Sequence, residues 1–141
     1  MFVVLVRHAE PVAGGTDPDP ALSTTGKKRA VTLAKMLADA GIRAIFTSDL
    51  RRTKETAKPL ADQLSITPVE IAADPLAAAA QIRAAGDRIL VVGHTNTVPP
   101  IIKALGGPPN VVINHNEFDR LFVLQIPAQG AASLLSMRYR A

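Results

Sequence analysis

Phe2-Val3-Val4-Leu5-Val6-Arg7-His8-Ala9-Glu10 decides how this chain is read. Residues 2–6 form an unbroken apolar run rich in valine. They lack the polar alternation of a half-solvated strand, so they predict a strand buried on both faces. The run then stops at an arginine, a histidine and a glutamate. In open parallel sheets, ligands bind beyond the carboxyl ends of the strands. A buried strand ending on such groups is therefore where chemistry is sought.

Outward from this strand, residues 11–20 hold three prolines and two glycines and predict a loop. Ser23 to Ala40 predicts a helix: Ala30, Leu33, Ala34, Leu37 and Ala38 recur at helical spacing, Ser or Thr caps the start, and Gly41 stops it. Ile42 to Thr47 predicts a second strand. Asp49 to Leu64 predicts a helix with Ala57, Leu60, Ala61 and Leu64 on one face, which Pro59 should kink or restart. A weak strand is expected over Pro68 to Ala72, an alanine-rich helix over Leu76 to Ala85 ended by Gly86, and a buried strand over Arg88 to Val92. The next helix runs from Pro99 to Leu105, since proline suits a first turn. Leu121 to Ile126 and Ser133 to Tyr139 close the chain as a hairpin or edge pair. Strands alternating with helices imply an α/β fold, an open and mostly parallel sheet covered on both faces.

The 141 residues fit one domain, and 48% apolar content is enough for a core without disulfides or a structural metal. The chain has no cysteine, which excludes thiolate metal sites and thiol nucleophiles. No apolar run is long enough to span a membrane, and no leader-like segment follows Met1. A cytoplasmic protein is expected, with no membrane partner. The net charge of +4 raises the question of nucleic acid. Outside Lys27-Lys28-Arg29 and Arg51-Arg52, however, the basic residues are scattered. The four Phe and one Tyr do not interleave with them as a stacking platform would. No nucleic-acid partner is expected.

Three segments place polar residues at the same predicted sheet edge: Arg7-His8-Ala9-Glu10, Thr47-Ser48-Asp49-Leu50-Arg51-Arg52 and Gly93-His94-Thr95-Asn96. Each is weak alone, since an Arg-His pair after a strand is usually a surface or capping pair. Their joint placement carries the signal.

In these segments the chain resembles the histidine phosphatase (phosphoglycerate mutase-like) superfamily. Leu5-Val6-Arg7-His8-Ala9-Glu10 is similar to its Arg-His-Gly signature. Leu22-Ser23-Thr24-Thr25-Gly26 is similar to its helix entry, and Ser48 to Ala57 to its Ser-x-Leu-x-Arg-Ala-x-x-Thr-Ala segment. Val92-Gly93-His94 matches its second histidine. The resemblance implies a three-layer α/β/α sandwich, with residues 1–141 as a single such domain. It implies that His8 is the nucleophile that becomes phosphorylated. Arg7 and Arg52 would hold the phosphoryl oxygens, and His94 would donate a further hydrogen bond. Arg51 falls where the family pattern is free. Compactness makes the chain similar to the small bacterial phosphohistidine phosphatases.

The physical logic agrees. A phosphoryl group in transfer spreads negative charge over its equatorial oxygens, so catalysis is positioning plus charge stabilisation. Guanidinium forks match those oxygens and stay charged. They therefore stand in for a metal ion, and no metal or cofactor is expected. The same positive surroundings disfavour a proton on His8 and keep it nucleophilic. Amides near Thr95 and Asn96, at a helix start, would add anion-binding donors.

The acid that protonates the leaving group is not identified by the resemblance, and Glu10, Glu70 and Asp74 are the candidates. His115, in Asn114-His115-Asn116-Glu117-Phe118-Asp119, reads as a surface-loop residue. A metal site with His8 and His94 is disfavoured because no metal-binding histidine spacing occurs and arginines repel a cation. The expected activity is metal-independent phosphate release from a phosphorylated small molecule or a phosphoprotein, with a protein phosphohistidine phosphatase as the finer reading. The alternatives are a non-catalytic phosphate-recognition module and a small-molecule phosphomonoesterase or mutase. A monomer is expected, though the last strand pair leaves an edge free.

Overall fold

The computed structural model describes residues 1–141. In chain order its elements are β1 (Phe2–Arg7), α1 (Thr24–Leu37), β2 (Ala44–Thr47), α2 (Arg51–Leu64), β3 (Val69–Glu70), α3 (Pro75–Ala85), β4 (Ile89–Gly93), α4 (Val98–Ala104), β5 (Arg120–Gln125) and β6 (Ser133–Arg138). The strands form one sheet in the order β3-β2-β4-β1-β5-β6. β1, β2, β3 and β4 are mutually parallel where they pair, while β5 and β6 are antiparallel additions beside β1.

The valine run lies between β4 and β5, as its composition predicts. Val3, Leu5 and Val6 are wholly buried and Val4 nearly so. Burying each such side chain contributes roughly 1.5–3 kcal/mol, which is why this segment takes an interior position. Side chains alternate across the sheet. Val3 and Leu5 join Ile89, Val91, Phe122, Ile82 and Ile102 on the face covered by α3 and α4. Val4 and Val6 join Leu90, Val92, Leu33 and Leu60 beneath α1 and α2.

Crossover handedness explains the two layers. The chain moves outward from β1 to β2 to β3 and then turns back to β4, which lies between β2 and β1. Right-handed crossovers place helices on opposite faces when the direction of travel reverses. α1 and α2 therefore pack together on one side, α3 and α4 on the other. The switch lines up the carboxyl ends of β1, β4 and β2 on one edge.

Several bounds differ from the expectations: β2 starts at Ala44 rather than Ile42, and β3 is cut to Val69–Glu70. The helix after Ser23 ends at Leu37 rather than Ala40, and turns lead to Gly41 at φ 72° before the chain enters β2. α2 runs unbroken through Pro59. Proline removes one backbone hydrogen bond there, but Ala57, Leu60 and Ala61 are buried on the sheet and hold both halves of the helix to one surface. Ser23 caps α1 by accepting from the Gly26 amide at 3.1 Å, and Asp74 caps α3 by accepting from Ala77 at 2.9 Å.

Candidate active site

Strand register brings the three polar segments together. Arg7 pairs with Gly93 across β1 and β4, so His8 and His94 leave the sheet side by side. Thr47 pairs with Val92 on β4 and with Glu70 on β3, which sets Ser48 and Asp49 beside the same edge. The His8 amide donates to the Gly93 carbonyl at 2.8 Å. The two imidazoles lie with centroids 5.2 Å apart and planes inclined at 60°. Gly93 is required here: a Cβ would stand 2.8 Å from Thr97 Oγ1, which accepts the His94 amide at 2.8 Å and folds the turn back.

His8 is only 5% exposed, and its Nδ1 lies 2.8 Å from the Ala9 carbonyl oxygen. A carbonyl can only accept, so Nδ1 carries the proton and Nε2 presents its lone pair. Burial pushes the imidazole down to about 4. The Ala9 carbonyl opposes this, while the charges of Arg7, His94 and Arg52 add to it. Desolvation, more than the arginines, thus keeps His8 neutral. An unfolded histidine takes its proton near 6.5. The neutral ring therefore contributes stability that is full above that pH and is lost as pH falls toward 4. In NMR of the imidazole nitrogens, His8 is expected to remain the neutral Nδ1–H form down to about pH 4. Protonation near pH 6.5, or an Nε2–H form, would contradict this geometry.

Arg7 is 95% buried in effect, with 5% of its surface exposed. Its Nη1 donates to the carbonyls of His115 and Glu117, both at 2.7 Å, and its guanidinium lies 3.9 Å from the Phe118 ring centroid. Its Nε is buried without a partner. Burial and the charge of Arg52 push the Arg7 guanidinium below its ordinary value, against the pull of Glu10. Two like charges brought together, with one buried N–H unpaired, form an arrangement that an oxyanion relieves. Neighbouring arginines diverge in use: Arg51 pairs outward with Glu55 at 3.2 Å, whereas the half-buried Arg52 makes no ion pair. Arg52 directs its charge at Arg7, His8 and His94.

His94 Nε2 lies 2.9 Å from Ser48 Oγ, which in turn lies 2.9 Å from Thr53 Oγ1. Where Ser48 Oγ donates to Nε2, the ring proton lies on Nδ1, which can then donate to a phosphoryl oxygen. Burial, then Arg52 and Arg7, push His94 below its ordinary value, and Asp49 opposes them. Thr95 is half-buried in the turn before α4, which is only seven residues long and offers little helix dipole.

The three acid candidates separate. Both Glu10 oxygens are bound by Arg29, at 2.8 and 3.0 Å. Burial pushes the Glu10 carboxyl up, but the Arg29 hydrogen bonds and charge outweigh it and hold the group below its ordinary range. Asp74 is committed to capping α3. Glu70 ends β3, makes no ion pair, and lines a hollow of about 280 Å³ together with His94 and Ser48. His115 is exposed and contributes its carbonyl rather than its ring. No group of three His, Cys, Asp or Glu side chains is placed to hold a metal ion.

Several contributors escape sequence reasoning. Thr56 Oγ1 accepts the Ala9 amide at 2.8 Å and donates to the Arg52 carbonyl at 2.6 Å, tying α2 to the loop after β1. Thr53 and Thr56 extend the apolar stripe of α2 at helical spacing and are wholly buried, which is the signal that points to them. Phe118 and the 115–117 carbonyls have no such signal.

Comparisons with known proteins fit this geometry. Residues 3–75 match the family profile described as the histidine phosphatase superfamily (branch 1). The "Probable phosphoglycerate mutase GpmB" of Yersinia enterocolitica is 36% identical over 78 residues, 52% of this chain and 35% of that protein. The match thus spans about a third of that relative's length. Among solved structures, the protein histidine phosphatase SixA complexed with tungstate superposes with a TM-score of 0.76 at 16% identity, covering 98% of this chain and 97% of that one. A mycobacterial glucosyl-3-phosphoglycerate phosphatase gives 0.68 at 16% identity, covering 99% and 98%. At these identities the structures establish the shared fold alone.

Proposed function

The chain belongs to the histidine phosphatase superfamily, branch 1, and we propose that it is a phosphatase that hydrolyses its substrate through a phosphohistidine on His8. The observation that carries this reading is the His8 imidazole, buried and neutral, with Nδ1 committed to Ala9 and Nε2 free beside Arg7 and Arg52.

In the first step the Nε2 lone pair attacks phosphorus, the bond from phosphorus to the leaving atom breaks, and that atom takes a proton from an acid. Arg7, through its unpaired Nε edge, and Arg52 neutralise the equatorial oxygens. The Ala9 carbonyl keeps hold of Nδ1–H as positive charge grows on the ring. His94 Nδ1 and the turn amides around Thr95 add contacts to the phosphoryl oxygens. In the second step water attacks phosphorus, the bond to Nε2 breaks, and the carboxylate that gave its proton takes one from the water. None of these steps calls on a metal or cofactor. Each is a displacement that guanidinium charge supports.

We assign the acid and base role to Glu70, because Glu10 and Asp74 are held by Arg29 and Ala77. Glu70→Gln is expected to lower kcat about 10²-fold or more on an alkyl phosphate, the usual scale for general acid catalysis. On p-nitrophenyl phosphate, whose leaving group needs no proton, the first step should be nearly unaffected. Equal losses of that first step on both substrates would remove Glu70 from the role.

The finer reading is a phosphorylated protein side chain as substrate, with phosphohistidine foremost. The compact site supports it, as does the likeness to SixA, described as a protein histidine phosphatase. No helix is long and apolar enough to cross a membrane.

A further inference from the structure

His94 borders two environments. One holds Arg7 and Arg52, and the other is the hollow of about 280 Å³ between the start of α2, the stretch after β3 and the start of α4. Ile71, Ala72, Val91 and Ile101 supply apolar wall, and Asp49 and Glu70 supply carboxylates. Both carboxylates are on exposed residues, and neither belongs to any ion pair in the molecule. Asp49 is close enough for its charge to act on His94, where it opposes Arg52 and Arg7.

The site is therefore divided in charge across one imidazole. The phosphoryl side holds the charges of Arg7 and Arg52, and Arg7 Nε is buried there without a partner. The adjoining hollow carries Asp49, a carboxylate outside any ion pair. His94, whose ring centroid lies 5.2 Å from that of His8, also lines this hollow, which makes it a concavity that adjoins the reacting imidazole. We propose that the hollow is the leaving-group subsite, and that Asp49 selects substrates whose departing group is cationic over those whose departing group is anionic.

The assignment of Asp49 is independent of the acid chemistry given to Glu70, though it rests on the phosphatase reading. A unit charge about 5 Å from a carboxylate in partly screened surroundings shifts binding roughly 5- to 20-fold. Exchanging an anionic for a cationic leaving group therefore changes kcat/KM by on the order of 30-fold or more. A bland role for Asp49, next to the Leu50 N-cap, would be to offset the dipole of α2. That role makes no distinction among substrates.

The test measures kcat/KM at low ionic strength for 3-(trimethylammonio)phenyl, phenyl and 3-carboxyphenyl phosphates. Wild type is compared with Asp49→Asn and Asp49→Lys. Intrinsic leaving-group reactivity cancels when each chain's cationic-to-anionic ratio is divided by that of wild type. The ratio is expected to fall on the order of 30-fold in Asp49→Asn and further in Asp49→Lys, and to fall in wild type as salt is raised. Ratios within twofold of wild type in both variants, or a wild-type ratio insensitive to salt, would overturn the proposal and leave the phosphatase reading intact. Failure of the wild type on all three esters, with no phosphate on His8, would overturn both.

Discussion

Replacing His8 by alanine is expected to lower kcat on p-nitrophenyl phosphate by on the order of 10⁴-fold or more and to abolish any covalent phosphoenzyme. Removing a nucleophile leaves only binding and charge stabilisation, and residues acting as one unit fail together. The structure makes this substitution informative. The His8 backbone amide, held by Gly93 at 2.8 Å, is retained in the variant, and so is the Ala9 amide bond to Thr56. The loop therefore keeps its anchors while Nε2 is lost. Oxyanion binding should persist, because Arg7 and Arg52 remain. A variant that binds tungstate or phosphate yet turns nothing over is the expected result. Activity within tenfold of wild type would move the nucleophile elsewhere.

Arg52→Ala is expected to cost about 3–4 kcal/mol of transition-state stabilisation, a loss of roughly 10²–10³ in kcat, on the scale of a deleted oxyanion donor. Arg52 is the cleaner probe of the two arginines. It makes no ion pair, so its removal leaves no buried partner unsatisfied. Arg7 anchors the His115 and Glu117 carbonyls and stacks on Phe118, so its loss would loosen that loop as well as the phosphate site. Kinetics on p-nitrophenyl phosphate, with thermal unfolding measured alongside, checks the contrast. Arg52→Ala should melt near wild type, and Arg7→Ala should melt lower. A loss below tenfold for Arg52→Ala, or a matching loss for the outward-facing Arg51→Ala, would mean that the two neighbours have been exchanged.

The central strand was legible because burial on both faces leaves an apolar run without alternation. The sheet edge followed, since His8, Arg52 and His94 each stand just past an element boundary that periodicity and turn residues define. What was not legible depends on contacts between distant backbone groups. The grip on Arg7 comes from carbonyls more than a hundred residues away, and a carbonyl has no signature in the amino-acid alphabet. Glu10 was an attractive acid beside His8 in sequence, but Arg29 lies one helical layer over it and takes both oxygens. Pro59 does not restart α2, because packing of Ala57 and Leu60 against the sheet outweighs one lost hydrogen bond. Read from the residues alone, the neutrality of His8 traces to the arginines beside it. In the structure burial contributes more, a quantity that emerges only when the strands are assembled.

The stereochemical course at phosphorus distinguishes a phosphohistidine on His8 from direct hydrolysis without requiring the intermediate to accumulate. With a chirally labelled phosphorothioate ester and isotopic water, transfer to His8 Nε2 and then to water inverts the centre twice. Thiophosphate with net retention of configuration is the expected product. Net inversion would mean a single direct attack by water, and would contradict a phosphohistidine on His8.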